Sequence, residues 1–335
     1  MSHQRSRRVT ALVLAGVLGA ALVAAAALPD RHPATEAVCL QGDPQDTQRD
    51  GVLPTSLAAE VYRATRSYPG PCAVYGTPKP MGRAQIQTFA QLRGPQPVRL
   101  GFVFDADALD GLPTAMTDGT HCHDVDGNGK VDQHTECVHS HDTTLDLPRE
   151  FTARVGGPFT WGLITWDPHG HAPGTIYGLP HFDFHLYMQD QAARDAIRTG
   201  PCGGEGLINC DDLATAHVPV PDRYRPADFA DVGAVVSAMG NHLTDPTGPE
   251  FNGATFTHTF MYGAYAGDIT FYEPMITRAW LVEVVQSGRG ACRDIKPPAA
   301  WKVAGWYPTR YCVDYRANRH ELSVALTDFV LRSAS

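Results

Sequence analysis

Polar and apolar residues alternate strictly from Pro180 to Tyr187, which reads Pro-His-Phe-Asp-Phe-His-Leu-Tyr. Side chains on a strand point to opposite faces in turn, so the spacing predicts a strand there. Phe182, Phe184 and Leu186 enter a core, and His181, Asp183, His185 and Tyr187 share the other face. Similar period-two signals predict strands over Ala84–Leu92 and Val98–Phe104, joined by a turn at Gly94-Pro95. Phe151–Val155 and Phe159–Trp166 read as strands around Gly156-Gly157-Pro158. Alternation returns at Phe256, His258, Phe260 and Tyr262, continues at Ile269–Tyr272, and closes the chain at Leu322–Phe329. Trp280–Val285 and Tyr311–Tyr315 give weaker strand signals. A helical turn fits Ala106–Leu112, and Asp190 can cap a short helix over Gln191–Arg198. Long helical periods are absent. Many short strands punctuated by Gly and Pro predict a mainly β fold, an antiparallel sandwich or barrel with few short helices and long disulfide-tied loops.

The N-terminus changes the setting of that fold. Basic Arg5, Arg7 and Arg8 precede an apolar run to Leu28 that ends in alanines, the form of an export signal over residues 1–28. The alternative is an uncleaved anchor, which would be the protein's only membrane attachment. Either way the remainder is expected outside the cytoplasmic membrane, secreted or in the cell envelope. Residues 29–50 read as a mobile linker, and 51–335 as a single β-rich domain. Removing the signal takes three positive charges from a formal net charge of −9, so no nucleic-acid partner is expected. All eight cysteines (Cys39, Cys72, Cys122, Cys137, Cys202, Cys210, Cys292 and Cys312) lie beyond the signal. An even number in an oxidising compartment predicts four disulfides, and pairing of sequence neighbours is the simplest connectivity.

Two stretches point to metal chemistry. Asp124, Asp126, Asn128 and Asp132 occupy positions 1, 3, 5 and 9 of an EF-hand-like loop, Gly129 stands at position 6, and Lys130 offers its carbonyl. Ca2+ takes six to eight hard oxygens on a tightly curled backbone, which this spacing provides. Position 12 departs from the pattern: Thr135 is there and Glu136 follows one residue late. The loop belongs to an insertion at about 113–150, whose histidines and Cys122 and Cys137 also admit a zinc module. The second stretch is the His181 strand. Residues four apart on a strand stand about 13 Å apart, so His181 and His185 need partners from elsewhere. His242, in Met239-Gly240-Asn241-His242, and Glu273, in Phe271-Tyr272-Glu273-Pro274-Met275, are the candidates, with His169 and His171 as a further pair. Imidazoles with a carboxylate suit a transition metal such as Zn2+ and leave room for a small ligand. The plainer alternative is a histidine cluster hydrogen-bonded for structure. No G-x-S-x-G, P-loop or dinucleotide fingerprint favours other chemistry.

Several motifs occur together and in order: Trp166 to Pro173, Tyr177, Pro180 to Tyr187, Met239 to His242, Tyr262-Gly263, Phe271 to Thr277, and Tyr307 to Tyr311. In these the chain resembles the TTHB210-like family of exported bacterial proteins of unknown function, the DUF5602-type domain. The resemblance implies a largely β domain that forms homo-oligomers, and a shared functional site at His181, Asp183, His185, His242 and Glu273; it implies no reaction. The expectation is therefore an exported β-rich metal-binding protein of unknown substrate, with His181, His185 and His242 as imidazole ligands, Glu273 as carboxylate ligand or base, and Asp183 orienting a histidine. The rival is a non-catalytic, calcium-stabilised envelope or interaction protein.

Overall fold

Both faces of the alternating stretch are buried. In the computed structural model, which describes residues 34–335, His181–Tyr187 is a strand with every residue buried. The expected signal, 1–28, lies outside the described residues. The strand sits inside a seven-stranded antiparallel sheet. Its spatial order is Ala230–Val236, Gly240–Thr244, His258–Tyr265, Asp268–Thr277, His181–Tyr187, Trp161–Asp167 and His141–Asp146. A second antiparallel sheet runs Ala291–Asp294, Arg310–Arg316, Glu321–Thr327, Gln96–Asp105, Ala84–Arg93 and Ala73–Tyr75, with Lys79–Met81 also paired to Ala84–Arg93. The fold is thus a mainly β sandwich; neither sheet closes into a barrel.

The alternating apolar positions make the interior between the sheets. Phe182, Phe184 and Leu186 face Phe102, Phe104, Leu322 and Val324 in one core. Phe184 packs its ring 5.5 Å from Phe102 and 6.2 Å from Phe104. On the far side of the second sheet, Phe89, Val103 and Ala325 pack against Cys39 and Tyr68. Those two belong to a small sheet of Arg49–Pro54, Thr35–Leu40 and Tyr68–Pro69. All four neighbour disulfides form: Cys39–Cys72, Cys122–Cys137, Cys202–Cys210 and Cys292–Cys312. Bonds that persist in this number indicate an oxidising environment.

Four expectations need correction. Residues 29–50 are not simply a linker, because Thr35–Leu40 is a paired strand in which Val38 and Cys39 are fully buried. The insertion ends earlier than 150, because His141–Asp146 is the edge strand beside Trp161–Asp167. Phe151–Val155 lies mostly in a helix, Arg149–Arg154, entered after Pro148. Trp280–Val285 lies in a helix too, Arg278–Ser287. There the Thr277 hydroxyl caps Trp280 N, Gly288 ends the helix at φ 67°, and Leu281 and Val284 are buried at helical spacing. The longest α-helices among the described residues have ten residues, and none is long and apolar enough to cross a membrane.

Replacing Phe184 by alanine removes a ring buried between the sheets. We expect a loss of about 3–5 kcal/mol, read as a lower urea midpoint. A loss below about 1 kcal/mol, the scale of ordinary surface changes, would contradict this placement of the core.

Candidate metal centre

Strand register decides which polar side chains meet on the outer face of the first sheet. His181 stands opposite Asp167, and Asp183 opposite Thr165. His242 stands opposite Gly263, which in turn stands opposite Phe271. A Cβ at Gly263 would fall 2.1 Å from the Phe271 ring, so the ring fills the space that glycine leaves. It stands 4.9 Å from the His185 ring and 5.2 Å from that of His242. The five expected residues therefore do not share one ion. They divide into two neighbouring sets, as strand geometry requires of histidines four apart.

The first set is His185, His242 and Glu273, all buried. His242 Nδ1 donates to the Ala234 carbonyl at 3.1 Å, which leaves the Nε2 lone pair free. Both ring nitrogens of His185 are buried without a hydrogen-bond partner. The two Nε2 atoms approach the two Glu273 oxygens at 3.5 and 3.8 Å. Those separations are too long for good hydrogen bonds. They lie near the spacing of about 3.3 Å between ligands of one tetrahedral ion with bonds of about 2.0–2.1 Å.

The second set is Asp167, His171, His181 and Asp183. Gly170 (φ 67°) lets the loop after Asp167 turn against Tyr177, where a Cβ would lie 2.2 Å from the Tyr177 carbonyl. That turn brings His171 back over the sheet, its ring 4.7 Å from that of His181. Beside the sets, Asp142 is held by Arg194 at 2.7 Å and by the Thr165 hydroxyl at 3.1 Å.

Burial dominates the electrostatics. It pushes the carboxyls of Glu273, Asp167 and Asp183 well above their usual range, helped by their mutual repulsion. Burial also lowers the imidazoles: His181 falls well below its ordinary value, His185 to about 3 and His242 to about 4. Asp142 differs. Burial opposes its charge, yet the neighbouring His121 ring, 3.7 Å away, and the Arg194 guanidinium hold it down at about 2. Neutral imidazoles are what a metal requires, and a divalent cation would reverse the pressure on the carboxylates.

In the calcium-type loop Asp124, Asp126, Asn128 and Asp132 each accept a local backbone N–H. Asp124 and Asp126 converge with Glu136, the glutamate one residue late. Glu136 accepts from Val125, Asp126 and Asp132 backbone N–H groups at 2.8, 3.1 and 2.9 Å. Asn128 and Asp132 turn their oxygens to local backbone N–H groups, of Lys130 and His134 respectively. The loop histidines do not gather: His139 and His141 bond the His134 and Ala115 carbonyls, and His169 is directed at that of Thr114. A cavity of about 350 Å³ at the edge of the sandwich, lined by Tyr224, Tyr262, Tyr272 and Trp301 among others, includes no member of either His/carboxylate set.

A scan against protein-family models, a search of curated proteins and a search of solved structures return no match. Asp167 is the member of these groups that the sequence pattern does not single out, whereas Glu136 stands out there only as one residue late. Asp167 ends an apolar strand and offers no spacing signal of its own, although the adjoining His169 and His171 marked the loop.

Two outcomes follow from this geometry. Gly263→Ala displaces the Phe271 ring that packs against both histidines and should cost about 1–3 kcal/mol, the usual range for overpacking; an unchanged melting temperature would contradict it. In chelator-treated protein, His242 titrates at about 4 when folded against 6.5 when free. The folded state then binds fewer protons between these values, so this stabilisation is complete above pH 6.5 and is lost as pH falls through 4. The stability difference between wild type and His242→Gln should shrink over that window, and a difference independent of pH would contradict the assignment.

Proposed function

We propose that this chain is an exported metal-binding protein in which His185, His242 and Glu273 hold a divalent transition metal ion such as Zn2+. One observation carries the reading: two buried imidazole Nε2 atoms face the two oxygens of one buried carboxylate at ligand spacing, not at hydrogen-bond spacing. Two histidines and one glutamate form a common set for Zn2+ and other first-row ions. The ion neutralises Glu273 in a place where water cannot. Its three ligands come from three strands of one sheet, so binding is coupled to the folded state. Export is supported by the four disulfides and by the N-terminal sequence. The ordered motifs also support kinship with the TTHB210-like proteins.

A calcium ion at Asp124, Asp126 and Glu136 is a second reading. It is favoured by the convergence of Asp124 and Asp126 with the buried Glu136. It would make the loop a stabilising element of the rival envelope protein.

Elemental analysis of chain purified from an oxidising host tests the proposal. We expect a bound transition metal, with one ion fewer per chain in Glu273→Gln. Chelation should lower stability by about 2.7 kcal/mol relative to protein with free metal at a hundred times Kd. Calcium alone, even after reconstitution with Zn2+, would leave only the second reading.

A further inference from the structure

We propose that Asp167, His171, His181 and Asp183 form a second metal centre, which holds an exchangeable divalent transition ion where the Trp161–Asp167 strand ends and the His181–Tyr187 strand begins, beneath the loop that carries His171. The inference rests on the reading that this protein binds such ions, and adds a site with a different task. His181 Nδ1 lies 2.6 Å from the Leu179 carbonyl, and His171 Nδ1 2.9 Å from that of Ala172. A carbonyl only accepts, so both Nδ1 atoms carry the proton and both Nε2 lone pairs are free. His181 Nε2 is 3.4 Å from Asp183 Oδ1 and 3.8 Å from Asp167 Oδ2, and His171 Nε2 is 3.8 Å from Asp183 Oδ2.

Asp167 Oδ2, His181 Nε2 and Asp183 Oδ1 are buried and have no hydrogen-bond partner. Unpaired buried polar atoms are costly and uncommon, and here three of them point into one space. One divalent ion satisfies all three and leaves no net charge against the two carboxylates. Two imidazoles with two carboxylates fit Zn2+, Mn2+ or Fe2+ rather than Ca2+, which prefers an all-oxygen shell. Access separates the two centres. The side chains of His185, His242 and Glu273 are 1, 9 and 1 % exposed, whereas that of His171 is 34 % exposed on a loop. The first centre is closed and suited to hold the sheet; the second opens when one loop histidine swings away. The competing arrangement, a proton shared by Asp167 and Asp183, has no need of His171.

The test is zinc binding to the full exported chain, stripped with chelator and reloaded with Zn2+ alone. Bound zinc is counted after desalting, and its release to a chromogenic chelator is timed. Wild type should show a fast and a slow phase. His171→Ala, a change on a part-exposed loop, should bind one zinc fewer and lose the fast phase, as should Asp167→Asn. Glu273→Gln should keep the fast phase. If His171→Ala and Asp167→Asn keep all the zinc that wild type binds, while Glu273→Gln loses one, the second centre is wrong and the first stands. If wild type binds no zinc, both are wrong.

Discussion

The organising constraint of this molecule is the desolvation of imidazoles and carboxylates on the outer face of one sheet. Such groups are normally left in water or fully hydrogen-bonded. Here Tyr177, Phe256, Met261 and Met275 cover one end of the face, and Trp161, Tyr187, Met239 and Phe271 cover the other. Each polar group left without a partner costs about 1–3 kcal/mol, and several stand within reach of one another. Each of these groups needs a partner that water cannot supply there, which ties the chemistry of the face to its fold.

The rest of the structure holds that face still. Interlocked aromatic rings on the inner side of the same strands fix their height and register against the second sheet. Strands supply His181, Asp183, His185, His242, Glu273 and Asp167, so these positions are set by ladder hydrogen bonds rather than by loop conformation. Glycines allow two close approaches, Gly263 for the Phe271 ring and Gly170 for the loop that returns His171. Only His171 among the candidate residues lies off a strand, and its side chain is the most exposed of them.

Much of this was readable from the residues. Period-two alternation located His181–Tyr187 and assigned its faces, and neighbour pairing gave all four disulfides. Strand geometry alone said that one ion would be strained to take both His181 and His185, but the expectation still kept them in one site with His242 and Glu273, which the structure divides in two. What could not be read was long-range register, which brings Asp167 to His181 and Glu273 to the two other histidines. Short apolar runs also misled: Phe151–Val155 and Trp280–Val285 are too brief for their period to separate helix from strand. The Thr35–Leu40 strand was hidden because its polar flanks resemble a linker, although Val38 and Cys39 are buried.

The most direct measurement is a crystal structure of the zinc-loaded chain with diffraction recorded on both sides of the zinc absorption edge. The expected result is an anomalous peak about 2.0–2.2 Å from Nε2 of His185, Nε2 of His242 and a Glu273 oxygen. No peak there, with His185 hydrogen-bonded to Glu273 directly or through water, would contradict it.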